Sequence, residues 1–517
     1  MRSAGESARE TASIGESFYT LAALQSLRDS RPVLSLSPEV SGCMARGADF
    51  VASSAGEDRT FYGINTGFGS LCAVRIAPDQ LSELQHRHLL SHACGVGEPV
   101  SEDVSRMVML LKLLSFRTGH SGISLDTVGR FIDHWNNDLI PVIPRQGTVG
   151  ASGDLAPLAH MALPLIGLGS VWHRGGIVEA RDVMREKGWE PIRLRPKEGL
   201  ALTNGVQYIN AWAVHSLLRA RDLVLAADIV ASLSMQGFST AQSFYRQILH
   251  ETSYHPERRV VAANLRRLLE GSNHHDLPQC NIAMEDPYSF RCVPQVHGAV
   301  RQTLGFAEEV VQRECNSVSD NPLVFAEEGE ILTGGNLHGQ STAFALDYMA
   351  IAMSELASIS ERRTYQLLSG QHGLPDFLIA DPGLNSGLMI VQYTSAALVN
   401  ENKVLATPAS IDTIPTCHLQ EDHVSMGGTS AYKLNRIIDN VEHVLGIELL
   451  AAAQAIDLNP GLELSPIARS LHEHFRSEVA LLTEDRLMST EIERSRRFLV
   501  ESPVMAGVRV LLDREDA

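Results

Sequence analysis

Residues 202–236, 296–318, 338–370 and 427–457 repeat apolar side chains at three- and four-residue spacing over long runs with few breakers. That is the period of a helix face, and four such runs constrain the chain to a mainly α fold. In 338–370, Phe344, Leu346, Met349, Ile351, Met353, Leu356 and Ile359 are interspersed with Asp347, Glu355 and Glu361. An apolar arc so wide predicts burial in a bundle, with the Met and Leu content as core packing rather than a cofactor box. Before these runs, short helical stretches alternate with Gly-rich loops, and residues 171–194 read as a hairpin followed by a short helix. The expected architecture is a loose leader over residues 1–20, a smaller loop-rich N-terminal domain over 21–200, and an elongated helical-bundle domain over 201–517.

Composition narrows the partners. Of 517 residues, 44% are hydrophobic and 20% charged, and 43 Lys and Arg against 61 Asp and Glu leave a net charge of −18. Such a chain repels phosphate backbones, so nucleic acid is disfavoured. Residues 1–20 are polar and lack the apolar core of a signal peptide. The apolar stretch 155–172 is broken by Pro157, His160 and Pro164, which argues against a membrane span. Seven dispersed cysteines without a C-x-x-C pair suit a reducing, cytoplasmic setting. The expected partner is a small molecule, not a nucleic acid or a membrane.

Chemistry is expected in two glycine-rich loops, FYGINTGFG at 61–69 and GTVGASGD at 147–154. By default Ala151-Ser152-Gly153 is a turn. Its small residues also permit something rarer. Gly147 and Gly150 allow unusual dihedrals, and Gly153 has no Cβ. A loop bent hard enough would bring the Gly153 nitrogen to the Ala151 carbonyl carbon. Dehydration would then leave a ring with an exocyclic methylidene, an electrophile that no standard side chain supplies. A serine nucleophile is the rival, but G-A-S-G is not the G-x-S-x-G elbow. A metal enzyme is another, since His86, His88 and His92, or Cys417, His418 and His423, are clustered. The H-E-x-x-H glutamate is absent, however, and no third ligand is assignable, so no metal is expected. A non-enzymatic helical scaffold would tolerate loss of the Ser152 hydroxyl.

The string GTVGASGDLAPLAHMALPLIG closely resembles the active-site segment of the histidine and phenylalanine ammonia-lyase family, whose prosthetic group is 4-methylideneimidazole-5-one (MIO). The resemblance runs from about residue 61 to 457 in at least five blocks. It implies that Ala151, Ser152 and Gly153 are the MIO precursors, with no metal or diffusible cofactor. FYGINTGFG resembles the family's mobile loop, making Tyr62 a proton-transfer residue. A phenol with a pKa near ~10 is a poor base at neutral pH, so a lowered value beside a positive charge is required. EDPYSFRCVPQVHG implies Arg291 as the substrate-carboxylate clamp, to which its planar fork is suited, with Tyr288 beside it. LALTNGVQ makes Asn204 the asparagine near the prosthetic group and substrate.

Two features resemble the histidine branch: Ser91-His92 in SHACGVGEP, and Glu421 in QEDHVSMGG, where other branches typically carry glutamine. A carboxylate suits an imidazole N–H, whereas a phenyl ring would leave it buried and unpaired. The resemblance therefore implies conversion of L-histidine to trans-urocanate and ammonia, with Tyr62, Tyr288 or Glu421 taking the β-proton. It also implies a homotetramer whose sites draw on several subunits. There are departures, several of them beside the expected pocket: Leu337 for phenylalanine, Glu285 for glutamine, Thr203 and Val206 around Asn204, and Thr416-Cys417-His418 before Gln420-Glu421. They keep open an aminomutase that would return the amine to the β-carbon, or a lyase for another aromatic or polar amino acid.

Overall fold

The computed structural model describes residues 9–281 and 285–513. The long periodic segments form the helices Gln207–Phe238, Val293–Asn316, Gln340–Leu367 and Gly427–Leu458. Helix Gln340–Leu367 is long and apolar enough to cross a membrane by composition, but two thirds of its most apolar window is buried within the protein, as in a core helix. The strands are short: Ser170–His173 and Gly176–Glu179 pair as the expected hairpin and lead into helix Ala180–Glu186.

Two compact units divide the chain discontinuously. The first comprises residues 1–215, 308–346 and 408–432, and the second 216–307, 347–407 and 433–517. Residue 200 is therefore not a boundary. The first division, between His215 and Ser216, falls inside a continuous helix whose apolar period does not change there. The leader differs from expectation too. Residues 1–8 lie outside the described part, but Thr11–Ile14 form a strand parallel to Val33–Leu36, with Ile14 buried. Arg9 ties down the approach by donating to the carbonyls of Arg31 and Asn136, at 2.6 and 2.7 Å. Arg9 comes too early to show any period, so composition alone reads this end as loose.

In the first unit, helix starts follow local chemistry. Ser101 caps Glu102–Phe116, whose first turn carries Glu102 and Asp103. Ser124 caps Leu125–Asn136. Helix Glu102–Phe116 is buried from Val104 to Phe116, including Arg106 and Lys112. The second unit buries the Arg363 guanidinium against Glu448, with Nη2 to Oε2 at 2.8 Å, and Ser234 Oγ donates to the same carboxylate at 2.7 Å. Such a pair is tolerated in a dry core because further hydrogen bonds engage both partners: Ser234 and Ser360 on Glu448, and the Ser289 carbonyl on Arg363.

His134, stacked on Trp189 with centroids 5.5 Å apart, is buried in the first unit. Burial pushes its imidazole down to about 3, helped by the Arg130 and Lys187 charges. The unfolded chain, with a histidine pKa near ~6.5, binds a proton that the folded chain refuses. Its stabilisation is thus complete above ~6.5 and is lost as pH falls toward 3. Urea midpoints are expected to drop between pH 6.5 and 4.5, with a shallower slope in His134→Leu; identical slopes would contradict this.

Candidate active site

The loop at 147–154 is bent as the cyclisation argument requires. Gly150, Ser152 and Gly153 all have left-handed backbones, with φ of 77°, 61° and 76°. For serine that conformation costs about 1–2 kcal/mol, so the surroundings must impose it. On one side Met426 N–H donates to Val149 O at 2.8 Å, and Gly339 N–H and Ser425 Oγ donate to Gly150 O at 3.0 and 2.9 Å. On the other, Asp154 N–H donates to Gly205 O at 2.7 Å. A Cβ on Gly153 would stand 2.2 Å from Gly205 O, so only glycine fits. The Asp154 carboxylate does not cap the helix Leu155–Ala162 that it precedes. It accepts instead from Thr148 Oγ1 at 2.8 Å and Ile209 N–H at 3.0 Å, and full burial pushes its pKa up to about 7.

The loop opens on a cavity of about 1030 Å³, wholly within the first unit, lined by Tyr62, His92, Ala151, Ser152, Asn204, Leu337 and Glu421 among others. Glu421 is the residue nearest the serine chemistry. Its Oε1 accepts the Ser152 hydroxyl in a short hydrogen bond, and its Oε2 accepts from Thr416 Oγ1 at 2.7 Å. A tight turn brings Thr416 back against Glu421, with Cys417, His418 and Leu419 all at positive φ. Thus the departure at Thr416-Cys417-His418 builds the turn that aims the carboxylate. Cys417 Sγ also accepts from Ser70 N–H at 3.2 Å, tying that turn to the loop after Tyr62.

Tyr62 Oη accepts from Gly69 N–H at 3.0 Å. Its pKa is raised, chiefly by burial; the Gly69 bond opposes this, while Glu421, Cys417 and Cys72 reinforce it. The lowered phenol pKa expected from the sequence is therefore not a property of this chain alone, because burial raises it and the titratable groups facing the hydroxyl are acidic. His92 Nδ1 donates to His88 O at 2.8 Å, which leaves Nε2 as its lone-pair nitrogen. Burial lowers the His92 pKa, against opposing effects of the His88 carbonyl and Glu421, so the ring favours the neutral form. Asn204 Nδ2 donates to Asn321 O at 2.6 Å.

Tyr288 and Arg291 belong to the second unit and do not line this cavity. Tyr288 is 71% exposed, and the Arg291 guanidinium meets Glu285 Oε2 at 2.6 Å. The Glu285 departure thus places a carboxylate on the expected clamp. The histidine cluster serves packing: His88 Nε2 lies in hydrogen-bond contact with Thr203 Oγ1 at 2.7 Å, and its ring lies 3.8 Å from that of His92. Among the described residues, no group of three or more His, Cys, Asp or Glu could hold a metal ion.

Sequence reasoning marked Thr416 only as a departure from the family pattern and missed Asp154, Lys112 and His338, the last with Nε2 3.2 Å from His423 Nδ1 at the cavity wall. Only Lys112 carried a signal, a single charge inside the apolar run MVMLLKLLSF.

The family model for aromatic amino acid lyases matches residues 19–477. A histidine ammonia-lyase of Symbiobacterium thermophilum is 44% identical over 477 residues, covering 92% of this chain and 94% of its own. The crystal structure of histidine ammonia-lyase from Trypanosoma cruzi superposes with a TM-score of 0.88 at 37% identity, over 97% of this chain and 95% of that one. That of tyrosine aminomutase from Streptomyces globisporus gives 0.90 at 33%, over 98% and 99%. The chain belongs to the aromatic amino acid lyase family and is a carbon–nitrogen lyase. Its similarity places it in the histidine ammonia-lyase branch of that family, whose members in general depend on MIO.

Thr203 departs from the family pattern, and its hydroxyl hydrogen-bonds the buried His88 Nε2 at 2.7 Å. Thr203→Val is expected to cost about 1–3 kcal/mol by leaving that buried ring nitrogen without its partner. The urea midpoint measures it, and an unchanged midpoint would show that the bond contributes nothing.

Proposed function

We propose that this protein eliminates ammonia from L-histidine without oxidation, giving trans-urocanate, through an MIO ring formed from its own Ala151, Ser152 and Gly153. One observation carries the reading: Glu421 and Ser152 share a hydrogen bond inside the same cavity that His92 and Asn204 line. The loop fits the ring. Ser152 and Gly153 are already in left-handed conformations, and the space a Cβ would need at residue 153 is filled by Gly205. In closure the Gly153 nitrogen bonds to the Ala151 carbonyl carbon, whose oxygen leaves as water with the Gly153 and Ser152 amide hydrogens. The Ser152 hydroxyl then leaves with its Cα hydrogen as a second water. The finished ring supplies an electrophilic carbon that turns the substrate amine into a better leaving group.

This chain's own residues supply the remainder. Loss of the Ser152 hydroxyl frees Glu421 Oε1, while Thr416 keeps Oε2 aimed into the cavity. A carboxylate and a neutral His92 lone pair together provide acceptors for imidazole N–H groups, and a phenyl ring would satisfy neither. Asn204 flanks the ring and substrate. Tyr62 is the candidate base for the β-proton, with Glu421 and Tyr288 as rivals. With its pKa raised by burial, the Tyr62 phenol needs a cation beside it. Arg291 answers that need and clamps the carboxylate when delivered by another subunit of a homotetramer. Support for assembly comes from the second unit, where Tyr348, Ile351, Ile390 and Tyr393 are each at least half exposed. We place the enzyme in the cytoplasm, which suits its seven free cysteines.

The 33%-identical tyrosine aminomutase keeps a second reading in view, re-addition of ammonia to give β-histidine. Purified protein incubated with L-histidine is expected to accumulate urocanate by ultraviolet absorbance. Accumulation of β-histidine by mass spectrometry without urocanate would overturn the lyase reading, and turnover of tyrosine or phenylalanine but not histidine would overturn the substrate. Ser152→Ala is expected to abolish the ring and nearly all activity while retaining helical circular dichroism. Glu421→Gln is expected to lower kcat/KM for histidine by about 10²–10⁴-fold, the scale of losing an acid–base group, with little change in folding.

A further inference from the structure

We propose that Lys112 is the positioning residue for ring closure, holding the Asn204–Gly205 peptide against Gly153. The inference rests on the reading that Ala151-Ser152-Gly153 cyclises, and it concerns what makes this loop cyclise. Lys112 lies in the middle of helix Glu102–Phe116, fully buried, and its Nζ donates to the Asn204 carbonyl oxygen. That oxygen and the Gly205 nitrogen belong to one planar peptide group, so fixing one orients the other. The Gly205 nitrogen, carbonyl carbon and oxygen lie 2.5, 2.5 and 2.2 Å from the point a Gly153 Cβ would occupy. The same oxygen receives Asp154 N–H at 2.7 Å. Gly205 is therefore a ledge pressed on the nucleophilic residue of the proposed closure.

Other contacts hold the ledge at its sides: Asn204 Nδ2 on Asn321 O at 2.6 Å, and Val206 N–H on Ser319 Oγ at 3.3 Å. Lys112 supplies its charged contact, and a hydrogen bond from an ammonium is about twice as strong as a neutral one. A charge there is costly, and burial lowers the Lys112 pKa to about 7. It is compensated by Asp320 and Asp154, opposed by Lys197, and placed 5.2 Å from the Phe116 ring centroid. Lys112 sits within the apolar run Met107–Leu114 of this helix, where packing alone gives no reason for a charged side chain. Holding a peptide plane rigid does explain it, because an amide nitrogen attacks a carbonyl only if the two are pre-positioned.

The test is mass spectrometry of intact full-length protein and of the peptide containing residue 152, where closure reads as loss of two waters. Lys112→Met is expected to cut the fraction of dehydrated chains at least fivefold with helical circular dichroism retained, and Lys112→Arg to restore most of it. Lys112→Gln, a shorter neutral donor, is the second variant if methionine impairs folding, and on refolding it is expected to dehydrate several-fold more slowly than wild type. Complete dehydration of Lys112→Met, or a wild-type rate in Lys112→Gln, would overturn the role of Lys112. Absence of the two-water loss in wild type would instead overturn the cyclisation reading itself.

Discussion

The approach of Gly205 to Gly153 organises the first unit. Two backbone segments meet there with no room for a side chain between them, because Gly205 O stands 2.2 Å from where a Gly153 Cβ would be. Backbone can come this close only at glycine, and the contact persists only if both segments are held from behind. Val149 and Gly150 are held by Ser425, Met426 and Gly339, and the Gly205 side by Ser319, Asn321 and Lys112. Residues from 308–346 and 408–432 are needed for this, which is a physical reason for those segments to belong with residues 1–215 in one compact unit.

The same requirement explains the unusual concentration of buried charge. Lys197 Nζ pairs with Asp320 Oδ2 at 2.8 Å, both buried, and Asp154 and Lys112 lie within electrostatic reach. Ordinary cores avoid such groups, because desolvation outweighs Coulomb attraction unless every polar atom is engaged. Here Asp154 accepts from Thr148 and Ile209, and Lys197 also donates to Ser121 O at 2.8 Å. Apolar replacements could fill the volume but could not hold backbone carbonyls and amides at fixed angles. Rigidity at a strained loop is what this polar core provides.

In the proposed reading, selectivity rests on a different part of the unit, the turn at residues 416–421. Its three consecutive left-handed residues direct Glu421 toward Ser152; Thr416 fastens the carboxylate, and Cys417 ties the turn to the loop after Tyr62. The departures at Thr416, Cys417 and Thr203 each have a local partner: Glu421 for Thr416, Ser70 for Cys417, His88 for Thr203. They are compensated substitutions in the scaffold around the cavity. Leu337, by contrast, lines the cavity itself.

Much of the fold was legible from local pattern. The four long helices begin and end within about five residues of their apolar periods, and the hairpin before Ala180 lies where its turn residues suggested. The loop bearing Ser152 and the residues Tyr62, His92, Asn204 and Glu421 were legible from glycine content, residue chemistry and resemblance. The ordered strand at Thr11 and the division inside Gln207–Phe238 were not, since neither changes composition or period. By itself the sequence determined which residue types are present and which segments are helical, because period and loop composition are properties of neighbours in the chain. Only the tertiary structure decided that Glu421 meets Ser152 across 269 residues, that Lys112 supports Asn204 across 92, and that Tyr62 is made less acidic rather than more. Hydrogen-bond partners and desolvation are set by what the fold brings alongside a group, and no local window contains that information.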